Sequence, residues 1–201
     1  MSPLNKQQLE KIRDERREQI KQAALRLFAR RGFGGTKTSL IAAEAGISEG
    51  LIYRYFSSKD ELFTELVEEL MNEASQAVQS IHQLLGTPYE QISALTQDMM
   101  DENNQYAFMF IQQARYSDNI PEKASQILQQ LSGNAIIEKL LPVFVKGQEA
   151  GEFAAGNPRE MLSWYFMIVH SLILQAKGDE EFGLPPAKVL MRVLTDGASK
   201  A

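Results

Sequence analysis

Side chains that can bind phosphate groups or pair with base edges concentrate in the stretch from Thr36 to Lys59. Ammonium, hydroxyl and phenol groups donate hydrogen bonds to phosphate oxygens, whereas guanidinium and carboxylate groups can also pair with bases in the major groove. This mixture of residue types indicates contact with DNA. The candidate DNA-binding residues are Lys37, Thr38, Ser39, Ser48, Glu49, Gly50, Leu51, Tyr53, Arg54, Tyr55 and Lys59.

An apolar pattern predicts the first of two short helices that position these side chains. Ile41, Ala42 and Ala45 recur at helical spacing and form one apolar face. Gly46 follows directly, at the place where a residue of left-handed conformation commonly ends a helix. The chain is therefore predicted to turn sharply at Gly46.

A second helix is predicted after this turn. Ser48 is a favourable N-cap, and Ile52 and Phe56, four residues apart, form the inward face of the helix. The residues that face away from the core are Glu49, Gly50, Tyr53 and Arg54. The interval from Ala42 through Gly46 to Ile52 is typical of a helix-turn-helix, although two packed helices in any all-helical protein can share it.

The same stretch resembles the N-terminal domain of TetR-type bacterial transcriptional repressors. The likeness extends from Arg16 to Leu70, and beyond it only the phrase from Gly147 to Phe153 looks like the family. The resemblance implies that the second helix of the motif lies in the major groove, and that a small molecule bound in the C-terminal part releases the DNA. The residues that carry it are Thr36, Ile41, Ala42, Ala45, Gly46, Ile47, Ser48, Gly50, Tyr53, Phe56, Lys59 and Leu62.

Separate roles are expected for the residues of the outer face. Tyr53 and Lys59 are predicted to hold phosphates, as the resemblance also implies, whereas Arg54 and Glu49 are predicted to face base edges. Glu49 could accept a hydrogen bond from a cytosine amine, or it could act against poor sites by repulsion. Thr36 or Thr38 is expected to cap the first helix of the motif.

The charge of the chain is divided between its two ends. The net charge is −5, yet residues 1–60 carry 12 Lys and Arg against 7 Asp and Glu, while residues 61–201 carry 9 against 19. The basic N-terminal part suits a polyanion, and the acidic remainder should lie away from phosphates. A merely solvated surface would explain either part but not the asymmetry.

Composition and missing motifs exclude several kinds of chemistry. The chain has no cysteine, and two histidines, His82 and His170, are too few for a histidine-rich metal site. There is no phosphate-binding glycine loop, no HExxH spacing, and no motif that unites Ser, His and Asp. We therefore expect no catalytic residues, no metal and no cofactor. No apolar run reaches about 18 residues and no signal-peptide pattern is present, so a cytoplasmic protein without a membrane partner is expected.

A long helix is predicted from Ser58 to the break at Gly86. Ser58 and Glu61 form a capping-box pattern, and apolar residues then keep helical period for about six turns. The predicted domains are residues 1–60, with the helix-turn-helix, and residues 61–201, with ligand and dimer functions. The predicted fold class is all-α, with a three-helix N-terminal domain joined by the long helix to a helical C-terminal domain.

The periodicity of apolar residues and the helix-capping residues predict six helical segments in the C-terminal domain. Pro142 is expected to kink or divide one of them, because proline removes a helical hydrogen bond. The predicted ranges are about 88–100, 103–116, 121–131, 132–149, 157–177 and 185–195.

Two of these helices are predicted to form a homodimer interface. The run from Met161 to Ala176 is apolar on nearly all sides, which predicts neighbours on both faces. The run from Pro185 to Leu194 carries a second apolar stripe. The alternative is that both helices complete the core of a monomer.

A small hydrophobic effector is predicted to bind in the C-terminal domain. Aromatic and methionine side chains there occur beside isolated polar groups, as in apolar ligand sites, although the same residues could be simple core. The predicted ligand-binding residues are Tyr106, Phe110, Arg115, Trp164, Met167 and His170.

The sequence thus favours a ligand-responsive transcriptional repressor that binds a pseudo-palindromic DNA operator as a homodimer. A helical enzyme or small-molecule carrier with a vestigial helix-turn-helix is one alternative, and absence of DNA binding at low salt would favour it. A non-specific architectural DNA binder is another, which salt-dependent but sequence-insensitive binding would favour.

Overall fold

The computed structural model describes residues 6–130, 133–175 and 183–195 of the chain, and these ranges contain helices and no strand. This confirms the predicted all-α class. Short 3-10 segments, Ile81–Gln83 and Met191–Leu194, follow two of the helices. The α-helices are α1 (Lys6–Arg31), α2 (Thr38–Glu44), α3 (Glu49–Ile52), α4 (Lys59–Ser80), α5 (Pro88–Met99), α6 (Glu102–Arg115), α7 (Glu122–Gln130), α8 (Gly133–Glu149), α9 (Pro158–Gln175) and α10 (Ala187–Leu190).

The helix ends follow local signals closely. Gly32 ends α1 with a φ of 67°, and the Thr87 hydroxyl and the Glu90 carboxylate form a complete capping box at the start of α5. The predicted helices of the C-terminal domain are observed, and most of their ends differ from the prediction by two residues or fewer. The last helix is shorter than predicted, since α10 ends at Leu190 and the chain continues as the 3-10 segment Met191–Leu194. The predicted ends at residues 131, 132 and 177 lie outside the described part of the chain. The helix α8 is continuous through Pro142, so the predicted division was wrong, whereas the alternative, a kink, stays a prediction.

The chain forms two compact units. Unit 1 comprises residues 1–70 and 110–128, and unit 2 comprises residues 71–109 and 129–201. The predicted boundary after residue 60 therefore differs from the observed division, since the segment 110–128 joins the N-terminal helices.

Aromatic packing accounts for this assignment of the segment 110–128. The buried Phe63 ring of α4 lies 5.0 Å from Phe28 of α1 and 4.9 Å from Phe33, both in edge-to-face arrangement. On α6, Phe110 is fully buried, and its ring lies 4.9 Å from Phe63 and 6.0 Å from Phe28. Edge-to-face pairs at such distances stabilise beyond the burial of their surface. The second half of α6 thus belongs to the core of unit 1.

Unit 2 has its own apolar core, built from α5, α8, α9, α10 and both 3-10 segments. A hydrogen-bonded pair lies within it: the Tyr165 and Thr96 hydroxyls are 2.8 Å apart, and Thr96 also donates to the Ile92 carbonyl. Burial raises the pKa of Tyr165 to about 12. The pair satisfies two polar groups that would otherwise be costly to bury.

The phrase from Gly147 to Phe153 closes the end of α8. A Cβ atom at Gly147 would lie 2.3 Å from the Phe153 ring, so that only glycine fits without movement. The Phe153 ring stacks on Phe144 at 4.5 Å, and the Glu152 carboxylate accepts a hydrogen bond from the Tyr89 N–H in the first turn of α5. These contacts give this phrase a structural role in unit 2.

Within the described ranges, no helix is both long and apolar enough to cross a lipid bilayer. The same ranges contain no cluster of three or more His, Asp or Glu side chains that could hold a metal ion.

Candidate nucleic-acid interface

The helices α2 and α3 form the predicted helix-turn-helix of unit 1. Ile41 and Ala42 of α2 are buried, Gly46 turns the chain with a φ of 64°, and Ile52 and Phe56 are buried after the turn. Ser48 is the N-cap residue of α3, as predicted, although its hydroxyl makes no capping hydrogen bond. The α-helical part of α3 is short, and hydrogen bonds from the N–H groups of residues 54–56 continue it as a turn.

Most of the predicted DNA-binding residues lie on the accessible surface of this motif. Tyr53 is 52% exposed although it follows the fully buried Ile52. Leu51 and Tyr55 are half-buried, and their apolar parts support the surface. The exposed members are Lys37, Ser39, Ser48, Glu49, Gly50, Tyr53 and Arg54.

A hydrogen-bonded cluster joins the start of α2 to α3. The Thr38 hydroxyl donates to a Glu49 carboxylate oxygen at 2.5 Å and lies 3.2 Å from the Tyr53 phenol oxygen. A phosphate that binds Thr38 or Tyr53 must approach this carboxylate. Sequence reasoning missed the contact because Thr38 and Glu49 lie 11 residues apart.

Lys59 has a structural role that its sequence position did not predict. Its ammonium donates to the Phe33 carbonyl at 2.9 Å and to the Thr36 carbonyl at 3.0 Å, and it lies 3.9 Å from the centre of the Phe33 ring. An ammonium has three N–H donors, so one remains for a phosphate. The role of Lys59 as a phosphate contact alone is therefore corrected: it also holds the turn between α1 and α2.

Neither predicted threonine caps α2. Thr36 is fully buried, and its hydroxyl donates to the Gly32 carbonyl at 2.8 Å. The N-cap residue is Lys37, which has an extended backbone and makes no side-chain capping bond. The expectation of a threonine cap was wrong, because the turn after Gly32 brings Thr36 against the last carbonyls of α1.

Replacement of Lys59 by methionine should lower the stability of unit 1. Lys59→Met keeps the aliphatic stem but leaves the Phe33 and Thr36 carbonyls without the ammonium donor. Hydrogen bonds to charged groups contribute about 1.5–3 kcal/mol, and we expect a loss of free energy of unfolding in this range, measured by urea denaturation. Lys37→Met is the control, since Lys37 is exposed and should change stability by less than about 0.5 kcal/mol. Equal stabilities of the two variants would contradict the structural role.

Ion pairs hold α1 against α4 beside the motif. Arg17 contacts Glu65 at 2.5 Å, and Lys21 contacts Glu69 at 2.9 Å. At the start of α4 the Ser58 hydroxyl accepts a hydrogen bond from the Glu61 N–H, which confirms Ser58 as the cap. Hydrogen bonds from the Ser57 hydroxyl and N–H lower the pKa of Glu61. The motif is thus fixed on a rigid pair of helices.

Comparison with known proteins agrees with this geometry. A model of the family described as bacterial regulatory proteins, tetR family, matches residues 20–66, which contain the whole motif and its support on α1 and α4. Residues 20–66 therefore form a DNA-binding domain of the TetR type. The chain matches relatives beyond the motif. It is 25% identical over 169 residues to YfiR of Bacillus subtilis, an uncharacterized HTH-type transcriptional regulator, covering 81% of this chain and 80% of that protein.

Further relatives support the family and the fold. The HTH-type transcriptional repressor NicS of Pseudomonas putida is 28% identical over 142 residues, which are 70% of this chain and 66% of that protein. The structure of the transcriptional regulator FadR from Bacillus subtilis in complex with stearoyl-CoA superposes with a TM-score of 0.60 at 20% identity, over 90% of this chain and 98% of that chain. Together these likenesses support a transcriptional regulator of the TetR type.

The predicted ligand-binding residues of this chain are distributed over both units. Phe110 is a core residue of unit 1, and Arg115 lies exposed at the end of α6 in the same unit. On α9 in unit 2, Trp164 and Met167 are 58% and 66% exposed, so neither is a buried lining residue in this chain. Tyr106 and His170 are half-buried in unit 2, and the His170 ring lies 5.7 Å from Phe108.

The exposed residues of α9 belong to an apolar surface of unit 2. Trp164, Met167, Ile168 and Leu174 are exposed and lie within about 120° of one another on the helical wheel of α9. Val189 and Val193 are also exposed, next to the buried Leu190 and Leu194. We call these six exposed residues the α9 surface. In the single chain α9 is buried on one side and exposed on the other, so the predicted neighbour on its second face, another copy of the chain, stays a prediction. Residue 176 at its predicted end lies outside the described ranges.

Proposed function

We propose that this protein is a homodimeric, ligand-responsive repressor that binds a pseudo-palindromic operator and leaves it when a small apolar molecule binds to unit 2. The observation that carries the proposal is the set of exposed side chains on a helix-turn-helix whose inner residues are fully buried. Since double-stranded DNA is the proposed partner, we propose that the protein acts in the cytoplasm, without a catalytic role.

The contacts within the motif support separate roles for its exposed side chains. Arg54 is exposed and follows α3, where its guanidinium can pair with two acceptors of a guanine edge. Lys37, Ser39 and Tyr53 supply donors for phosphates. Glu49 is bonded to Thr38, and we propose that it discriminates against poor sites by repulsion, because a phosphate must displace this contact.

Dimerisation is proposed to occur through the α9 surface. A group of large apolar side chains exposed on neighbouring turns of one helix is typical of a protein interaction site. A two-fold axis through it would present two copies of α3 to one face of the DNA, about 34–36 Å apart or slightly more. The operator should therefore contain two inverted half-sites.

An apolar effector is proposed to bind in unit 2 beside Tyr106, Phe108 and His170, with the imidazole as its polar anchor. A few polar groups among apolar side chains are the usual composition of such a site. The helices α4 and α6 contribute residues to both units, so a ligand that prefers one placement of these helices could change operator affinity. A hundredfold preference corresponds to about 2.7 kcal/mol. A compound that raises the melting temperature without releasing operator DNA would contradict this coupling.

Selection of DNA sequences by the purified protein tests the function directly. We expect enrichment of one inverted repeat, whose affinity exceeds that of random DNA by about a thousandfold or more. Salt-dependent binding without sequence enrichment would indicate an architectural DNA binder, and absence of binding at low salt would indicate a carrier or enzyme.

Replacement of Arg54 by alanine should then relax specificity at one base position. Loss of a bidentate base contact costs about 1–3 kcal/mol on the selected site and little on random DNA. Titration of duplexes that differ at single positions measures this effect. Lys37→Ala is the matched control, since loss of a phosphate contact should weaken all duplexes about equally. A uniform loss for Arg54→Ala would show that Arg54 contacts only the backbone.

A further inference from the structure

The N-terminal end of α1 extends beyond the core of unit 1. We call the segment from Lys6 to Arg16 the α1 extension. The described side chains from Gln7 to Glu15 are all exposed, whereas the same helix is fully buried at Ile20. The core of unit 1 therefore supports α1 only from about its third turn onward.

Two contacts of α1 show where this extension begins. The Arg17 guanidinium lies 4.3 Å from the centre of the Phe56 ring, just after α3, and the Gln19 side chain donates to the Ala45 carbonyl in the turn of the motif. Residues before Arg16 therefore extend beyond the helix-turn-helix from a point beside its turn and the end of α3.

Basic and acidic side chains lie on different sides of the α1 extension. Leu9, Ile12, Arg13 and Arg16 lie within about 100° of one another on the helical wheel, on the side that Ile20 occupies deeper in the unit. Leu9 and Ile12 are 53% and 47% exposed on this side. The carboxylates of Asp14 and Glu15 lie on other sides, and Glu15 pairs with Lys11 at 3.8 Å.

We propose that the α1 extension is a second DNA contact, which binds the phosphate backbone just outside the base pairs read by α3. Arg13 makes no ion pair within the described part of the chain, so its guanidinium is available to a phosphate. Arg16 donates to the Gln19 side chain at 2.7 Å, and Gln19 donates to the Ala45 carbonyl at 2.7 Å. This chain of contacts ties Arg16 to the turn of the helix-turn-helix.

The apolar members of the same face fit this placement. Leu9 and Ile12 can pack against the deoxyribose rings between two phosphates while the carboxylates remain on the solvent side. The inference rests on the proposed DNA-binding function and extends the bound DNA to the base pairs that flank the operator. It accounts for a projecting cationic face that the helix-turn-helix does not use.

Duplexes of two lengths test the proposal with the full-length protein. One duplex ends at the last selected base pair, and the other carries about six additional base pairs on each side, or roughly half a helical turn. We expect the wild type to bind the longer duplex more tightly. Arg13→Ala with Arg16→Ala should abolish this advantage and retain the base preference. Each lost phosphate contact should lower the salt slope by about 1, so the loss of both contacts should be roughly tenfold larger at about 50 mM than at about 200 mM salt.

Lys11→Ala is the matched control, since Lys11 lies on the opposite side and pairs with Glu15, and it should behave as wild type. An undiminished length advantage in the double arginine variant would overturn the inference while leaving the proposed function intact. A further result would also overturn the inference. If Leu9→Ser changes the number of dimers bound per duplex while the double arginine variant has no effect, the α1 extension contacts a second copy of the protein and not the DNA. Absence of sequence-specific binding by the wild type would instead refute the proposed function.

Discussion

Trp164→Glu combined with Met167→Glu should convert the protein to a monomer and abolish specific operator binding. Both side chains are exposed on α9, so the carboxylates are tolerated in the isolated chain but must be buried in the proposed dimer. An uncompensated buried charge costs about 3 kcal/mol or more, which corresponds to about a hundredfold in the dimer dissociation constant. Sedimentation or light scattering at about micromolar concentration measures the mass, and titration of the selected duplex measures operator affinity.

The choice of these two residues depends on the structure. Leu172 and Leu190 lie in the sequence segments predicted to form the interface, but Leu190 is buried in the core of unit 2 and Leu172 packs against that core. Charges there would unfold unit 2. Lys139→Glu on α8 is a control that introduces the same charge at an exposed position, and it should remain dimeric. A monomeric wild type, or a dimeric double variant with normal operator affinity, would exclude the α9 surface as the interface.

Phe63→Ala should produce the largest loss of stability in unit 1. The Phe63 ring is buried between Phe28, Phe33 and Phe110, and its removal leaves a cavity among aromatic rings that belong to α1, α6 and the turn after α1. Such truncations cost about 3–5 kcal/mol. Urea denaturation measures the free energy, and hydrogen exchange should show reduced protection both in α1 and in residues 110–115.

A control on the same helix separates the packing effect from a general effect on α4. Glu68 is exposed and pairs with Lys123 at 3.6 Å, and Glu68→Ala should cost less than about 1 kcal/mol, as for other surface ion pairs. If Phe63→Ala reduced protection in α1 but left residues 110–115 unchanged, the assignment of this segment to unit 1 would be wrong.

Local signals in the sequence determined most of the helices. Gly46 and Gly32 occupy positions that require a positive φ, and the caps at Ser58 and Thr87 need only partners within three residues. The periodicity of the apolar residues likewise indicates which face of each helix is buried. These features depend on the conformation of a few consecutive residues, so they can be read from a single sequence.

The helix-turn-helix was predictable for a related reason. Its two helices are separated by one short turn, and Ala42, Gly46 and Ile52 define their packing over only 11 residues. The exposed positions of Tyr53 and Arg54 then follow from the burial of Ile52 and Phe56 on a helix. The resemblance to a family added the predicted phosphate contact of Tyr53.

Only the tertiary structure decided which groups meet across longer separations. Lys59 donates to carbonyls 23 and 26 residues earlier, and Phe110 joins Phe63 and Phe28 rather than the core of the domain in which the sequence placed it. The apolar residues of α9 divide into a buried side and the exposed α9 surface, which composition alone could not distinguish. An apolar side chain gains free energy by burial against any apolar neighbour, so hydrophobic pattern specifies burial without specifying the partner. The partner is chosen by the packing of helices that are distant along the chain.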